Sequence, residues 1–351
     1  MTATDAPKKP AFGHLNGIQA GRGIAALSVV MTHAVAHPYG GAPPAWHMLG
    51  RYGVTLFFVI SGFIMVHTTG TSQFDPGKFI VHRLKRIVPI YYIANLVLLV
   101  SLAVAPGAFK RTAFSIPYFI RSLLFIPTYE PSGTGFIWPF FRLGWTLNYE
   151  MFFYISFAAL FALNMRGRAM VLTLWFGALI ALGIFHPFAD AIPRFYTQID
   201  TLGFVAGVWL GVLELNGRLV GSRWFQAAAL LASLAGYIAI TLDYIKIKDD
   251  PWTQVATVAI CTLNVALLVM MVDHARRAVP RLLLASGDAS YAIYLFHMFA
   301  IGTVTALGHR MPPVMLYPMI IVAALSAAAL GMSVYRFVER PVNRLLRRHP
   351  G

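Results

Sequence analysis

The chain is divided along its whole length into apolar stretches that are each about as long as a membrane-spanning helix. The hydrocarbon core of a bilayer is about 30 Å thick, and a helix needs roughly 20 mostly apolar residues to cross it. Such windows, bounded by charged residues, proline or glycine, recur about ten times in the sequence. They lie at roughly 17–37, 51–70, 87–106, 143–164, 169–188, 199–216, 223–242, 252–272, 288–308 and 314–336. We therefore predict an all-α, polytopic integral membrane protein with about ten transmembrane helices.

The composition agrees with this prediction and excludes two other classes. Of the 351 residues, 58% are hydrophobic and 12% are charged, which is about half the charged fraction of a soluble globular protein. A soluble enzyme and a disordered chain are both excluded. The net charge of +15 would suggest nucleic acid in a soluble protein, but most Lys and Arg residues fall in segments on one side of the predicted bilayer. The positive-inside rule then predicts a multi-pass protein of the cytoplasmic (inner) membrane with both termini cytoplasmic and no nucleic-acid partner.

One long segment between predicted spans, 107–142, contains several prolines and glycines and is expected to form a structured cap or gate on the outer side. Within it, 112–127 is apolar but is interrupted by Pro117 and Arg121, so it is predicted to be a re-entrant or interfacial piece instead of a span. We expect a cytoplasmic tail at 1–14, a transmembrane domain at 15–340 and a basic cytoplasmic tail at 341–351.

Two titratable residues inside the predicted spans are candidates for catalysis, since such residues are costly in a membrane. Glu150 is expected roughly 10 Å below the outer end of its span, by helix rise. His33 precedes Pro38 by about one turn and lies in the outer half of the first span, at a similar depth. A neutral imidazole held by a carboxylate is the arrangement that a general base requires. A structural carboxylate and a hydrogen-bonded core histidine remain the alternative interpretations.

A basic cluster marks the inner end of the third span. Arg83 and Arg86 are three residues apart and share one helix face, where two guanidinium groups can bind a phosphate. The positive-inside rule explains the same charges equally well. His33 and His37 have the spacing of two metal ligands on a helix, but no third ligand with suitable spacing is evident, and we expect no metal.

Taken in order, several motifs resemble those of the acyltransferase-3 family of integral membrane proteins. The resemblance covers nearly the whole chain, and the ordered set of motifs is far more specific than any one of them. The motifs are Leu15-Asn16-Gly17-Ile18-Gln19 with Arg22-Gly23-Ile24-Ala25-Ala26-Leu27 and His33, the run Gly53 to Phe63, Arg83-x-x-Arg86-Ile-x-Pro89, Trp145-x-Leu147-x-x-Glu150-x-x-Phe153-Tyr154, Ser290-Tyr291-x-x-Tyr294-Leu295-x-His297 and Glu339-Arg340-Pro341. The Gly-Ile-Gln opening is similar to that of the branch that modifies exopolysaccharides.

The resemblance implies O-acyl transfer, most often of acetyl, from cytoplasmic acyl-CoA to a hydroxyl of a polysaccharide or lipid-linked glycan. The acyl-CoA is a co-substrate, and no bound cofactor is expected. Carried over by motif, His33 is the expected catalytic base and Glu150 a second site residue. The arginines Arg22, Arg83 and Arg86 are the expected donor-binding residues.

Four further residues are candidates for acceptor or channel contacts. Trp145 and Tyr149 are expected near the outer approach, where they can stack on a sugar ring, whereas Tyr294 and His297 are expected near mid-membrane along a donor channel. A packing role is the alternative for each of them. Ala20-Gly21 departs from the bulkier apolar residue that is usual in the family, and the segment 107–142 is too different for acceptor contacts to be carried over.

Two other functions fit a chain with many spans. A transporter or flippase for a glycan or lipid-linked sugar would use buried His and Glu residues along its pathway, but no convincing internal repeat accompanies them. A non-catalytic assembly subunit would lack the His33 and arginine pattern, which is present here.

Overall fold

The structure is a computed structural model that describes residues 15–70, 74–109, 112–246, 250–275, 279–308 and 312–348. Within these ranges the chain forms fourteen α-helices. They are α1 (Leu15–Tyr39), α2 (Pro44–Thr69), α3 (Pro76–Val104), α4 (Ile116–Leu123), α5 (Trp145–Ala159), α6 (Met165–Phe185), α7 (Ala191–Tyr196), α8 (Leu202–Leu215), α9 (Arg223–Lys246), α10 (Pro251–Ala275), α11 (Arg281–Asp288), α12 (Ser290–Gly308), α13 (Leu316–Val334) and α14 (Arg340–Arg348). The described residues contain no strand, only an isolated antiparallel bridge between Tyr129 and Ile137, so the all-α prediction is confirmed.

Seven helical segments in the described ranges are long and apolar enough to cross a membrane: α2, α3, α6, α9, α10, α12 and the continuous stretch from α13 into α14. The protein is therefore a multi-pass membrane protein. The three other predicted spans correspond to α1, α5 and α8. Helices α5 and α8 have 15 and 14 residues, which makes them only about 22 Å long, below the thickness of the hydrocarbon core. The number ten and the cytoplasmic position of both termini stay predictions.

Helix α2 lies at the centre, where it packs against α1, α8 and α10. Two glycines allow the backbones of α2 and α8 to approach closely. A Cβ atom on Gly62 would lie 2.1 Å from the carbonyl oxygen of Phe204, and one on Gly207 would lie 2.0 Å from that of Val59. This explains the small residues in the aromatic run of α2, since helices inside a membrane associate mainly by close packing.

The segment 112–142 is folded and forms no span. Its one α-helix, α4, has eight residues and is capped by the preceding Ser115, whose hydroxyl accepts a hydrogen bond from Tyr118 N at 3.4 Å. The described part of 112–127 has no helix long enough to cross a membrane, which agrees with the prediction, and its re-entrant or interfacial position stays a prediction.

The C-terminal segment is helical as far as the structure describes it. A π-helical turn, Tyr335–Glu339, joins α13 directly to α14, Arg340–Arg348. The cytoplasmic position of the tail at 341–351 stays a prediction. The predicted tail at 1–14 lies outside the described residues.

Candidate active site

A partly open pocket lies among α1, α2, α3, α5 and α12. Most of its walls are apolar and aromatic, with three arginines and one carboxylate among them. It is lined by Arg22, Val54, Phe57, Phe58, Ile60, Ser61, Ile64, Met65, Arg83, Arg86, Ile87, Thr146, Leu147, Glu150, Tyr154, Ser290, Tyr291 and Tyr294. The structure thus brings the predicted donor-binding arginines, Glu150 and Tyr294 from four separate motifs to one pocket.

Arg83 lies in an aromatic setting at one end of the pocket. Its guanidinium carbon is 5.4 Å from the ring centre of Phe79 and 5.7 Å from that of Tyr154, distances at which a cation is attracted to the face of a ring. Its Nη2 donates to Thr68 Oγ1 at 3.5 Å. Its Nε is buried and has no hydrogen-bond partner among the described residues. A buried donor without a partner costs roughly 1–3 kcal/mol, so a ligand in the pocket would be stabilised by accepting from it.

The two other arginines of the pocket lie in one electrostatic neighbourhood. Arg22 Nη1 donates to Gln19 Oε1 at 3.1 Å, and the amide nitrogen of Gln19 donates to Asp288 Oδ1. The charges of Arg22 and Arg86 both act on the carboxyl of Glu339, which is 6% exposed. Three guanidinium groups therefore line one pocket with a buried acid nearby, which is a suitable environment for an anion.

Glu150 is held between two helices in the wall of the pocket. Its Oε1 accepts from Ser61 Oγ on α2 at 3.1 Å and from the hydroxyl of Tyr154, one turn further along α5. Tyr154 in turn lies under Arg83. Glu150 thus belongs to the part of the pocket that the arginines line.

Two tyrosines of α12 extend the pocket away from Arg83. Tyr291 donates to the carbonyl of Ile87 at 2.8 Å, one turn beyond Arg83 on α3. Tyr294 receives a hydrogen bond from Thr146 Oγ1 at 3.0 Å. Along α5 the chain runs from Thr146, beside Tyr294, to Tyr154, beside Arg83. Along α12 it runs from Tyr291, near Arg83, to Tyr294, so the two helices are antiparallel along the pocket.

His33 is paired with His297 just beyond Tyr294. Nδ1 of His297 lies 2.7 Å from the carbonyl oxygen of Tyr294 and 3.2 Å from that of Ile293. Only a protonated nitrogen bonds to a carbonyl, so Nε2 of neutral His297 is an acceptor. Nδ1 of His33 lies 3.2 Å from that Nε2 and 2.9 Å from the carbonyl oxygen of Val29. Both neighbours accept, so neutral His33 carries its proton on Nδ1 and keeps Nε2 unprotonated.

The structure corrects the predicted pairing of His33 with Glu150. In the described part of the chain His33 bonds to Val29 and His297, and Glu150 bonds to Ser61 and Tyr154. Thr146 and Tyr294 are in contact and lie at the same depth. Glu150 lies four residues beyond Thr146 on α5, toward Arg83, whereas His297 lies three residues beyond Tyr294 on α12, away from Arg83. By helix rise, Glu150 is therefore about 10 Å away in depth from His297 and from its partner His33. The predicted similar depth is therefore wrong, and the catalytic roles of both residues stay predictions.

Tyr149 is a core residue, which corrects its predicted place on the outer approach. It is 3% exposed, its ring stacks on Phe195 with centres 4.1 Å apart, and its hydroxyl donates to the Phe195 carbonyl at 2.8 Å. No ring face is open for a sugar. Trp145 is half-buried and packs edge-on against Tyr149 at 5.9 Å. Its predicted contact with the acceptor stays untested.

His33 and His37 do not converge on a common site. Nδ1 of His37 lies 2.8 Å from Thr305 Oγ1, on a different partner from that of His33. Among the described residues, no group of three or more His, Cys, Asp or Glu side chains is arranged to hold a metal ion.

Sequence reasoning missed five polar residues of the pocket. Ser61 and Tyr154 bond to Glu150, Thr146 bonds to Tyr294, Tyr291 bonds to α3, and Ser290 has a buried hydroxyl without a partner among the described residues. All five lie inside the motifs quoted above. For all of them except Ser61, a position one turn from a charged or titratable residue was the available signal, since residues three or four apart share a helix face.

Comparisons with known proteins agree with the arrangement of the motifs. Residues 15–333 match the acyltransferase-3 family, described as "Acyltransferase domain". The chain is 36% identical over 304 residues to "Exopolysaccharide production protein ExoZ" of Rhizobium meliloti (strain 1021), an alignment that covers 84% of this chain and 90% of that protein. It is 27% identical over 368 residues to "Nodulation protein 10" of Rhizobium leguminosarum bv. viciae, covering 95% of this chain and 94% of the relative.

A more distant relative carries an explicit activity in its name. The chain is 24% identical over 359 residues to "O-acetyltransferase OatA" of Staphylococcus aureus (strain NCTC 8325 / PS 47), an alignment that covers 94% of this chain but only 57% of that longer protein. No solved structure matches the chain. The family match over most of the chain, the relatives and the apolar helices together lead to one conclusion: the chain belongs to the acyltransferase-3 family and is a membrane O-acyltransferase.

Proposed function

We propose that the protein transfers an acetyl group from acetyl-CoA to a hydroxyl group of an exopolysaccharide, with His33 as the general base. The observation that carries the proposal is one pocket lined by three arginines that extends to Tyr294, whose ring centre is 6.1 Å from that of His297, the partner of His33. The names of the relatives, which mention exopolysaccharide production and O-acetyl transfer, support the choice of acceptor and acyl group.

The arginine end of the pocket suits the phosphates of the donor. Arg83 offers the buried, unpartnered Nε, and Arg22 and Arg86 line the same space. Arg22 and His33 lie eleven residues apart on α1, or about 16 Å by helix rise. A long, thin pantetheine arm spans this distance, so the thioester reaches the neighbourhood of Tyr294 while the phosphates stay at the arginines. In this proposal the arginine end faces the cytoplasm of a bacterial inner membrane, where acyl-CoA is made.

The chemical step is a proton-coupled acyl transfer. Nε2 of His33 takes the proton of the sugar hydroxyl as its oxygen attacks the thioester carbonyl carbon. The tetrahedral intermediate collapses, the carbon–sulfur bond breaks, and the imidazolium returns the proton to the leaving CoA sulfur. The ester and free CoA are the products, and His33 ends neutral. His297 accepts from Nδ1 of His33 throughout and so holds the reactive nitrogen in place.

Glu150 acts on the donor side in this account. Its carboxylate orients Tyr154, whose ring lies under Arg83, and its negative charge partly offsets the three arginines. It is therefore proposed to position the donor-binding groups, not to orient the base.

Transfer of label tests the function directly. Purified protein in lipid nanodiscs is incubated with [¹⁴C]acetyl-CoA and with exopolysaccharide of Rhizobium meliloti from which O-acyl groups have been removed by mild alkali. We expect alkali-labile label in the polymer and one free CoA thiol for each acetyl transferred. Release of CoA without labelled polymer, or no consumption of acetyl-CoA, would contradict the proposal.

A further inference from the structure

A short hairpin precedes α5 at the end of the pocket remote from Arg83. Glu130 N donates to the Phe136 carbonyl at 2.9 Å, and Tyr129 and Ile137 form the isolated bridge. The loop between them turns tightly through Gly133, whose φ of 75° lies in the left-handed region that favours glycine. The hairpin is therefore closed by backbone hydrogen bonding across its loop.

Two aromatic residues and an arginine of this hairpin form a stack. The rings of Phe136 and Trp138 are parallel to within 3°, with centres 4.2 Å apart. The guanidinium carbon of Arg142 lies 4.7 Å from the centre of the Trp138 ring. Phe136 is 52% exposed and the Arg142 side chain 43% exposed. We call Phe136, Trp138 and Arg142 the aromatic platform.

A buried carboxylate holds the platform in place. Glu130, whose side chain is 2% exposed, accepts from Arg142 and, at 2.9 Å, from Thr134. Burial by itself raises the pKa of the Glu130 carboxyl, but the hydrogen bonds from Arg142 and Thr134 outweigh burial and lower the pKa below its usual value. The ion pair is therefore intact near neutral pH. The Tyr118 hydroxyl adds a bond to the Trp138 carbonyl at 2.8 Å.

The platform adjoins the His33 end of the pocket. Arg142 is followed directly by Leu143, whose carbonyl accepts from the Tyr294 hydroxyl at 3.2 Å. Phe141 stacks on Phe299, two residues beyond His297, with ring centres 6.1 Å apart. The platform and the arginines of α3 thus lie toward opposite ends of the same group of helices.

We propose that the aromatic platform is an acceptor subsite that binds one sugar ring of the glycan. This inference rests on the proposed function, because the acceptor hydroxyl must reach His33 while the donor occupies the arginine end. A sugar ring has an apolar C–H face that stacks on the open side of Phe136, and hydroxyl groups that accept from the exposed part of the Arg142 guanidinium. A rigid ring stack supplies contact area with little loss of side-chain entropy.

Binding and kinetics of Phe136 variants test the inference. With the deacylated Rhizobium meliloti exopolysaccharide as probe and the full protein in nanodiscs, we expect Phe136→Ala to raise both the Kd and the KM for the polysaccharide roughly 5- to 10-fold. The KM for acetyl-CoA should not change. Phe136→Trp should restore glycan binding, because it keeps a planar ring.

Phe185→Ala is the matched control. Phe185 is 86% exposed and lies four residues before Ala189, whose carbonyl accepts from the hairpin residue Tyr129 at 2.6 Å, so it shares the side of the molecule but not the stack. Its removal should leave the Kd unchanged. An equal loss of affinity in both variants would assign Phe136 to the membrane interface and overturn the inference. Unchanged affinity in Phe136→Ala, or no glycan binding by the wild type, would also overturn it. Wild-type binding without transfer would contradict the proposed function alone.

Discussion

The reactive nitrogen of His33 is defined by two neutral acceptors on Nδ1, the Val29 carbonyl and a second imidazole, instead of by a carboxylate. His297 is fully buried, and its Nδ1 faces two backbone carbonyls, which leaves Nε2 to accept from His33. A buried carboxylate in the same position would carry a large desolvation cost inside a membrane. A neutral acceptor selects the same tautomer without that cost.

Substitution of His297 separates this positioning role from packing. In His297→Leu one of the two acceptors of His33 Nδ1 is lost and only the Val29 carbonyl remains, so the imidazole is held less firmly. We expect kcat to fall roughly 10- to 100-fold, or about 1.4–2.7 kcal/mol in activation free energy. The pH profile of kcat should shift, while the KM for acetyl-CoA stays constant. His297→Gln offers an amide oxygen to His33 Nδ1 and should recover much of the activity. A Leu variant with wild-type kcat and an unshifted pH profile would exclude the role.

Arg83 is expected to act on the donor. Removing its guanidinium in Arg83→Ala should raise the KM for acetyl-CoA roughly 10- to 100-fold, since a hydrogen bond to a charged group contributes about 1.5–3 kcal/mol. The KM for the polysaccharide should stay within twofold. Lys78→Ala is the control, because Lys78 lies on the same helix with its side chain 80% exposed. An equal KM for acetyl-CoA in the Arg83 and Lys78 variants would show that Arg83 does not bind the donor. Its charge would then be explained by the positive-inside rule alone.

At the scale of helices, the close approach of α2 and α8 fixes one wall of the pocket. Gly62→Ala places a methyl group against the Phe204 carbonyl, which belongs to the backbone and cannot turn away. We expect a loss of about 1–3 kcal/mol in stability, measured as a lower midpoint of thermal unfolding in detergent. Gly177→Ala on α6 is the control, since its Cβ would meet no atom within 4 Å. Equal midpoints for the two variants would contradict the packing argument.

Hydropathy located the long helices but not their ends. The window 143–164 became α5, Trp145–Ala159, because the chain turns at 160–164 although most of those residues are apolar, and the Asn164 side chain then caps α6 by accepting from Gly167 N at 2.8 Å. An apolar count does not register such turns. For the same reason α5 and α8 are shorter than the spans that were predicted.

Motifs located the site residues but not their partners. His33, Glu150 and the arginines lie in the elements expected from the sequence, yet His33 pairs with His297, 264 residues away. A residue's position along its own helix follows from the sequence, whereas its neighbour depends on how two helices are rotated and offset against each other. The burial of Tyr149 under Phe195 escaped sequence reasoning on the same grounds, because α7 has no motif.

At the scale of the molecule, the account requires the two ends of the pocket to face opposite sides of the membrane. The C-terminal end of α8 lies at the arginine end of the pocket. Glu214, near that end of α8, is 3.4 Å from His67, and the next residue, Thr68, accepts a hydrogen bond from Arg83. Val220, 80% exposed, follows α8, and Ser132 lies in the exposed loop of the hairpin.

Single cysteines test this arrangement in a background of Cys261→Ser, which removes the chain's one native thiol. In sealed, right-side-out vesicles, a membrane-impermeant maleimide should label Ser132→Cys at once. Val220→Cys should react only after the vesicles are opened. Labelling of both from the outside would contradict the proposed path of donor and acceptor.

The central claim, that His33 is the base for acyl transfer, is tested most directly by the rate of label transfer in His33→Ala beside His37→Ala. His37 lies one turn away on α1, is exposed, and bonds to Thr305 instead of His297. With both variants inserted and folded like the wild type, we predict that His33→Ala lowers kcat by roughly 10²- to 10⁴-fold and that His37→Ala retains wild-type kcat. A His33→Ala protein with wild-type kcat would contradict the account.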